Sequence, residues 1–155
     1  MTPVPQGKPC AGNPHARFEE GASALAKCIN PRRSALLHNA VDAAFQKLAK
    51  SKFRSRFRLS EADRKYIADK GIETIRRHCE DFIRTRLAPA NPPNDGKQTP
   101  MRGHPVFKAQ HACACCCRDC LSKWWKVPKG TEIPPERQTR IVDFLMTWID
   151  RQLNA

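Results

Sequence analysis

The chain has 155 residues, 28 Lys+Arg against 15 Asp+Glu, a formal charge of +13, and eight cysteines. That length sustains one domain with a modest core. No stretch nears the ~18 consecutive apolar residues of a membrane span, and the N-terminus lacks the apolar segment of a secretory signal. Collagen, coiled-coil and transmembrane classes fall away. The cysteines read as thiols of a cytoplasmic protein, not as a secreted disulfide framework.

Residues 1–33 hold five of the thirteen prolines and few large apolar side chains, so a disordered tail is expected there. From Ser34, Leu37, Val41, Ala44, Phe45 and Leu48 recur at helical spacing to about Lys50. In the segment SKFRSRFRLS, Phe53, Ser55, Phe57 and Leu59 alternate with Arg54, Arg56 and Arg58. That period predicts an extended arm or short strand. Cations interleaved with aromatics suit phosphate attraction and base stacking, which makes Arg54, Arg56 and Arg58 candidate nucleic-acid contacts. The competing reading is a solvated edge whose phenylalanines pack inward.

Ser60 followed by Asp63 predicts a helix cap, and Gly71 a helix end. Ile72, Ile75, Cys79, Phe82, Ile83 and Leu87 then form the apolar stripe of a helix over 72–87, stopped by Pro89, Pro92 and Pro93. The following loop runs for about 18 residues, longer than an idle connection. Asn94-Asp95-Gly96 marks a turn. Lys97 and Arg102 offer a point charge and a fork of donors to an anion. Asp95 and His104 are a candidate acid/base pair.

Five cysteines fall within eight residues: Cys113, Cys115, Cys116, Cys117 and Cys120. If AQHACACCCRDCLSKWWK is one helix, Cys113, Cys116, Cys117 and Cys120 share a face and Cys115 points away. The Cys117-x-x-Cys120 and Cys116-x-x-x-Cys120 spacings each aim two sulfurs at one ion, as tetrahedral zinc requires. Further ligands would come from His111, His104, His78 or Cys79. Packing as small hydrophobes and thiol chemistry, with Arg118 and Lys123 lowering a thiol pKa, are the alternatives. Pro135 opens a last helix whose face is Ile141, Val142, Leu145, Trp148, Ile149 and Leu153.

The strings RLSEADRKYIADKGIETIRRHCEDFIRTRLAPA and NDGKQTPMRGHPVFKAQHACACCCRDCLSKWW resemble an uncharacterised bacterial family known as a domain of unknown function. The resemblance covers about Phe53–Gln152 and implies no activity. The family motif reads like QHATATCCR, then a further cysteine and KWH. Cys116, Cys117, Cys120, His111, His104 and Arg102 match it. Cys113 and Cys115 stand where threonine is common and Trp125 where histidine is, so the implied ligands narrow to Cys116, Cys117 and Cys120 with His111 or His104.

The expected protein is mainly α: a single domain of four to five helices over 34–155 with a long ordered loop, stabilised by zinc. Its partner would be nucleic acid or another polyanion, with no membrane association. The alternative is a metal- or cysteine-dependent enzyme whose site lies between the 94–107 loop and the 111–125 helix. The charge is uneven, since residues 1–59 hold 11 Lys+Arg against 3 Asp+Glu. Basicity therefore says less about the site than the cysteines do.

Overall fold

The computed structural model describes residues 31–155. Most of the expected tail lies outside the described residues, and its last three positions, 31–33, open the first helix. Among the described residues there are six α-helices and no strand: α1 (Pro31–Ala49), α2 (Glu61–Lys70), α3 (Ile72–Phe82), α4 (Pro105–Ala112), α5 (Arg118–Trp125) and α6 (Pro135–Leu153). A 3-10 turn at Arg54–Arg56 and a π turn at Ile83–Leu87 complete the set. In residues 31–42, the described part of the unit Met1–Asp42, Leu36 and Leu37 are exposed, so Leu37 does not join the expected stripe. The rest of the description concerns the unit Ala43–Ala155.

The core follows from the sequence periodicity. Ile75, Cys79, Ile83 and Leu87 are fully buried along α3 and the π turn, while Ile72, the first member of the stripe, is exposed. Helix α6 buries Ile141, Val142, Leu145, Trp148 and Ile149 against α3, α4 and the π turn. Ser60 caps α2 in a reciprocal box with Asp63, each side chain bonding the other's backbone N–H. Gly71, at φ +82, lets α3 start directly where α2 ends.

Three elements depart from expectation. The arm is a 3-10 turn rather than a strand, because no neighbouring strand exists to take its hydrogen bonds; instead Ser51 accepts from the backbone N–H groups of Arg54 and Ser55. The 72–87 helix widens after Phe82, where the Ala88 N–H reaches the Ile83 carbonyl at 2.8 Å. The cysteine segment is two helices, not one. Between them Ala114 adopts a left-handed φ of +58. Gln110 locks that bend, its carbonyl accepting from Cys115 N–H at 2.8 Å and its amide donating to the Cys115 carbonyl at 3.1 Å. The shared face expected for Cys113, Cys116, Cys117 and Cys120 therefore does not exist as such.

The irregular backbone around α5 is held by a single side chain. Arg118, 1% exposed, donates from Nη1 to the carbonyls of Leu87, Ala88 and Pro89. Its Nη2 donates to the carbonyls of Pro128 and Thr131, at 2.7 and 2.6 Å. The end of the π turn and the loop after α5 are thus tied to the first turn of α5. Lys keeps the charge but presents no planar fork, so it cannot serve both loops. Arg118→Lys is expected to lower unfolding free energy by about 3 kcal/mol, two charged hydrogen bonds' worth. Urea titration checks this, and a change within error would show that the fork is dispensable.

Candidate metal centre

The site begins with the helix break. Cys117, in extended conformation, is the N-cap of α5, and its sulfur accepts from the Cys120 N–H at 3.4 Å. A cysteine thus occupies the position where Ser, Thr or Asp is usual. The cap brings the Cys117 and Cys120 sulfurs onto one end of the helix. Cys116, still in the preceding bend, turns its sulfur to within 3.5 Å of the Cys120 sulfur. All three sulfurs lie within 4.8 Å of one another, Cys116 and Cys117 buried and Cys120 half-buried. Three sulfurs bonded to one zinc at about 2.3 Å sit about 3.8 Å apart, so this cluster needs little adjustment to hold an ion.

The surroundings favour negative charge on sulfur. Arg54, 8% exposed, donates from Nη2 to the Cys120 sulfur at 3.2 Å and from Nη1 to the His111 carbonyl at 2.5 Å. Its guanidinium lies over the Trp124 ring at 5.2 Å. Hydrogen bonds from the Cys116 thiol, then from Cys117 and Arg54, bring the Cys120 thiol down to about 5. Cys116 moves up because its proton is held in that bond, and Cys117 moves up through burial. Of the three sulfurs, Cys120 is the one whose neighbours favour a thiolate.

Arg54 is therefore turned inward, away from any polyanion, and Lys52, Arg56 and Arg58 are the exposed cations of the arm. Arg58 donates to the carbonyls of Ser55 and Phe57. Arg56 lies over the Phe53 ring at 4.7 Å. Nothing in the sequence tied Arg54 to the cysteines, because 66 residues separate it from Cys120. Arg118, the cation nearest to them in sequence, points into the loops instead.

His111 and His104 differ in a way that spacing did not reveal. The His111 ring stacks on Phe57 at 5.5 Å, and its Nε2 faces the Thr99 carbonyl at 3.2 Å. A carbonyl only accepts, so the proton sits on Nε2 and Nδ1 keeps its lone pair. Metal-bound imidazoles are held by such a bond on the opposite nitrogen. Burial first, then the Arg54 cation, moves its pKa below the usual histidine value. Thr99 also donates its hydroxyl to the Cys116 carbonyl at 2.8 Å, linking the histidine's support to the sulfur cluster.

His104 has both nitrogens engaged elsewhere. It is the N-cap of α4, its Nδ1 accepting from the Val106 N–H at 3.1 Å. That fixes the ring proton on Nε2, which points at His78 Nδ1 at 3.0 Å. Tyr66, Phe82 and Phe107 surround the ring. Asp95, its expected acid/base partner, instead binds Gln98 and the Arg118 N–H, so the structure does not assemble that pair. Lys97 and Arg102 are exposed on the loop.

The other cysteines among the described residues belong to the core. Cys79, Cys113 and Cys115 are at most 1% exposed. Burial pushes the Cys79 thiol up to about 12, and those of Cys113 and Cys115 above the usual thiol value. Trp125 donates its indole N–H to the Cys113 carbonyl at 2.9 Å, which gives a structural use to the position where the family motif carries histidine.

Residues 42–150 match the family described as "Domain of unknown function (DUF4186)". The chain belongs to this family. The match starts earlier than the resemblance read from the motif strings, so it takes in the C-terminal end of α1 and the first residues of the arm. No solved structure matches the chain.

The His104 cap carries a pH signature. Burial, followed by repulsion from His78, holds its pKa down at about 4, with Asp63 opposing weakly. The unfolded chain binds a proton near 6.5, so stability is complete above that value and falls as pH drops toward 4. His111, also shifted down, contributes in the same direction. His104→Asn, which keeps a capping oxygen, is expected to flatten this part of the stability–pH curve in urea titrations; an unchanged slope would place the acid sensitivity elsewhere.

Proposed function

We propose that the domain is a zinc-stabilised helical module in which Cys116, Cys117 and Cys120, with His111 through Nδ1, hold one zinc ion. The observation that carries this reading is the convergence of three sulfurs within 4.8 Å at the start of α5. His111 is the fourth donor of choice because the Thr99 carbonyl orients its other nitrogen and Arg54 bridges its backbone to Cys120. Four protein donors make a closed, structural site rather than one with an open position for substrate. The ion would cross-link the α4 end, the bend and the α5 start, a region with little regular hydrogen bonding of its own.

Purified protein is expected to carry one equivalent of zinc by elemental analysis, and chelator to lower its melting temperature. Cys120→Ser should weaken zinc binding about 100-fold, its share of the ~10–16 kcal/mol of a structural site. Cobalt substitution should give the intense sulfur-to-metal absorption of a thiolate site. Protein without stoichiometric metal that unfolds identically with chelator would overturn the reading.

A second reading concerns the partner. The +13 charge and the exposed Arg56 guanidinium stacked on a 40%-exposed Phe53 support polyanion binding, with nucleic acid as the ligand that uses both charge and stacking. Binding to a single-stranded oligonucleotide should fall steeply with salt and weaken on Phe53→Ala or Arg56→Ala. A flat salt response would remove this reading and leave the zinc site untouched.

A further inference from the structure

We propose that Cys120 and Cys116 are a hydroperoxide-reactive thiol pair, and that their oxidation to a disulfide releases the metal. The disulfide follows from sulfur geometry alone; the release rests on the zinc reading above.

Among the described cysteines only Cys120 has appreciable exposure, while Cys79, Cys113 and Cys115 are sealed in the core. An oxidant therefore meets Cys120 first. The Arg54 Nη2–H beside that sulfur is placed to stabilise charge building on a leaving oxygen. The Cys120 sulfur, as its thiolate, attacks the hydroxyl-bearing peroxide oxygen, the O–O bond breaks, and the other oxygen leaves as the alcohol with a proton from water. Cys120 sulfenic acid remains. The Cys116 sulfur, 3.5 Å away, then attacks the sulfenic sulfur; the S–O bond breaks and hydroxide departs as water with the Cys116 proton. Two thiols lose two electrons, and one hydroperoxide becomes one alcohol and one water.

Cys116 rather than Cys117 is the resolving partner for a structural reason. Cys117 accepts the Cys120 N–H as the cap of α5, and a disulfide there would pull that sulfur from the helix end. Cys116 lies in the bend and caps nothing. Closing the Cys116–Cys120 bond leaves the cap in place and removes two of the three thiolates from the ion, so the metal leaves while the helix stays.

The test uses the full chain with hydrogen peroxide as the probe, in metal-free reduced and zinc-loaded forms, read by peptide mass mapping and by a zinc-binding dye. The metal-free chain is expected to form the Cys116–Cys120 disulfide. Cys116→Ser should stop at a Cys120 sulfenic acid that dimedone captures. Cys117→Ser, whose hydroxyl can still cap α5, should still link Cys116 to Cys120 and not another pair, at a rate changed by the altered donor to Cys120. In the zinc-loaded chain the ion should appear in step with the disulfide, and a dithiol reductant plus zinc should restore the starting state. A disulfide through Cys117, over-oxidation of Cys120 with Cys116 still free, or first attack at a core cysteine would overturn the proposal. If the disulfide forms but reduced protein never takes up zinc, the zinc reading fails and the thiol pair stands. If zinc binds but peroxide leaves the two sulfurs unlinked, the reverse holds.

Discussion

The guanidinium of Arg118 is the constraint on which the rest of the molecule depends. Removing a cation from water costs several kcal/mol, and this one has no carboxylate bonded to its head group. Its compensation is five backbone carbonyls, three at the end of the π turn and two in the loop after α5. Those carbonyls belong to backbone that is neither regular α-helix nor sheet, where local backbone donors are scarce, although the Ala88 carbonyl also accepts from the Ile133 N–H at 2.9 Å. Each partner answers the other's cost. Because Arg118 is the first helical residue of α5 and follows Cys117 directly, the fork that fixes the two loops also fixes where α5 starts. The position of the Cys117 cap, and with it the spacing of the three sulfurs, is set from the opposite side by this arginine.

A second cation completes the arrangement from the sulfur side. Arg54 reaches across the chain to Cys120 and to the carbonyl of His111, and is held flat by Trp124. On the zinc reading, three thiolates on a divalent ion leave one net negative charge, which a buried guanidinium at 3.2 Å offsets. Without an ion, the same guanidinium and two neighbouring thiols support a single thiolate. The same donors therefore offset negative charge on sulfur in either state, as both the zinc reading and the proposed thiol pair require. The helix N-terminus adds its own positive potential at the same place.

What was legible in the sequence is what depends on periodicity and local chemistry. The stripes of α3 and α6, the Ser60 cap, the Gly71 junction and the Asn94 turn all follow from residues within a few positions of one another. The Cys117-x-x-Cys120 and Cys116-x-x-x-Cys120 spacings were legible whatever the backbone, while it was the family motif, not spacing, that removed Cys113 from the set. The backbone itself was not. Helical periodicity assumes an unbroken helix, and the run from Ala109 to Lys126 gave no glycine or proline to mark the break; the bend at Ala114 is imposed by Gln110 and by Cys117 acting as a cap. The arm failed for a related reason, because alternation predicts a strand only where a neighbouring strand can pair. The roles of Arg54 and Arg118 were illegible because their acceptors are carbonyls and a sulfur, some from segments far away in sequence.

The split between the cysteines shows why their number was a weaker guide than their placement. Cys113, Cys115, Cys116, Cys117 and Cys120 occupy eight consecutive positions, yet they fall into two chemical classes. Cys113 and Cys115 face the core with Cys79, where burial favours the neutral thiol and the sulfur behaves as a small hydrophobe. Cys116, Cys117 and Cys120 face the start of a helix and a guanidinium, where donors favour a thiolate at Cys120. The boundary between the classes falls between Cys115 and Cys116, just past the bend at Ala114, and is a feature of backbone conformation. Had the segment been one helix, Cys113 would have joined the cluster on its inner face and Cys115 would have faced away. The bend takes Cys113 out of the reactive set and gives Cys117 a helix to cap, so a single local distortion both gathers the three sulfurs and places Cys120 among the donors that favour its thiolate.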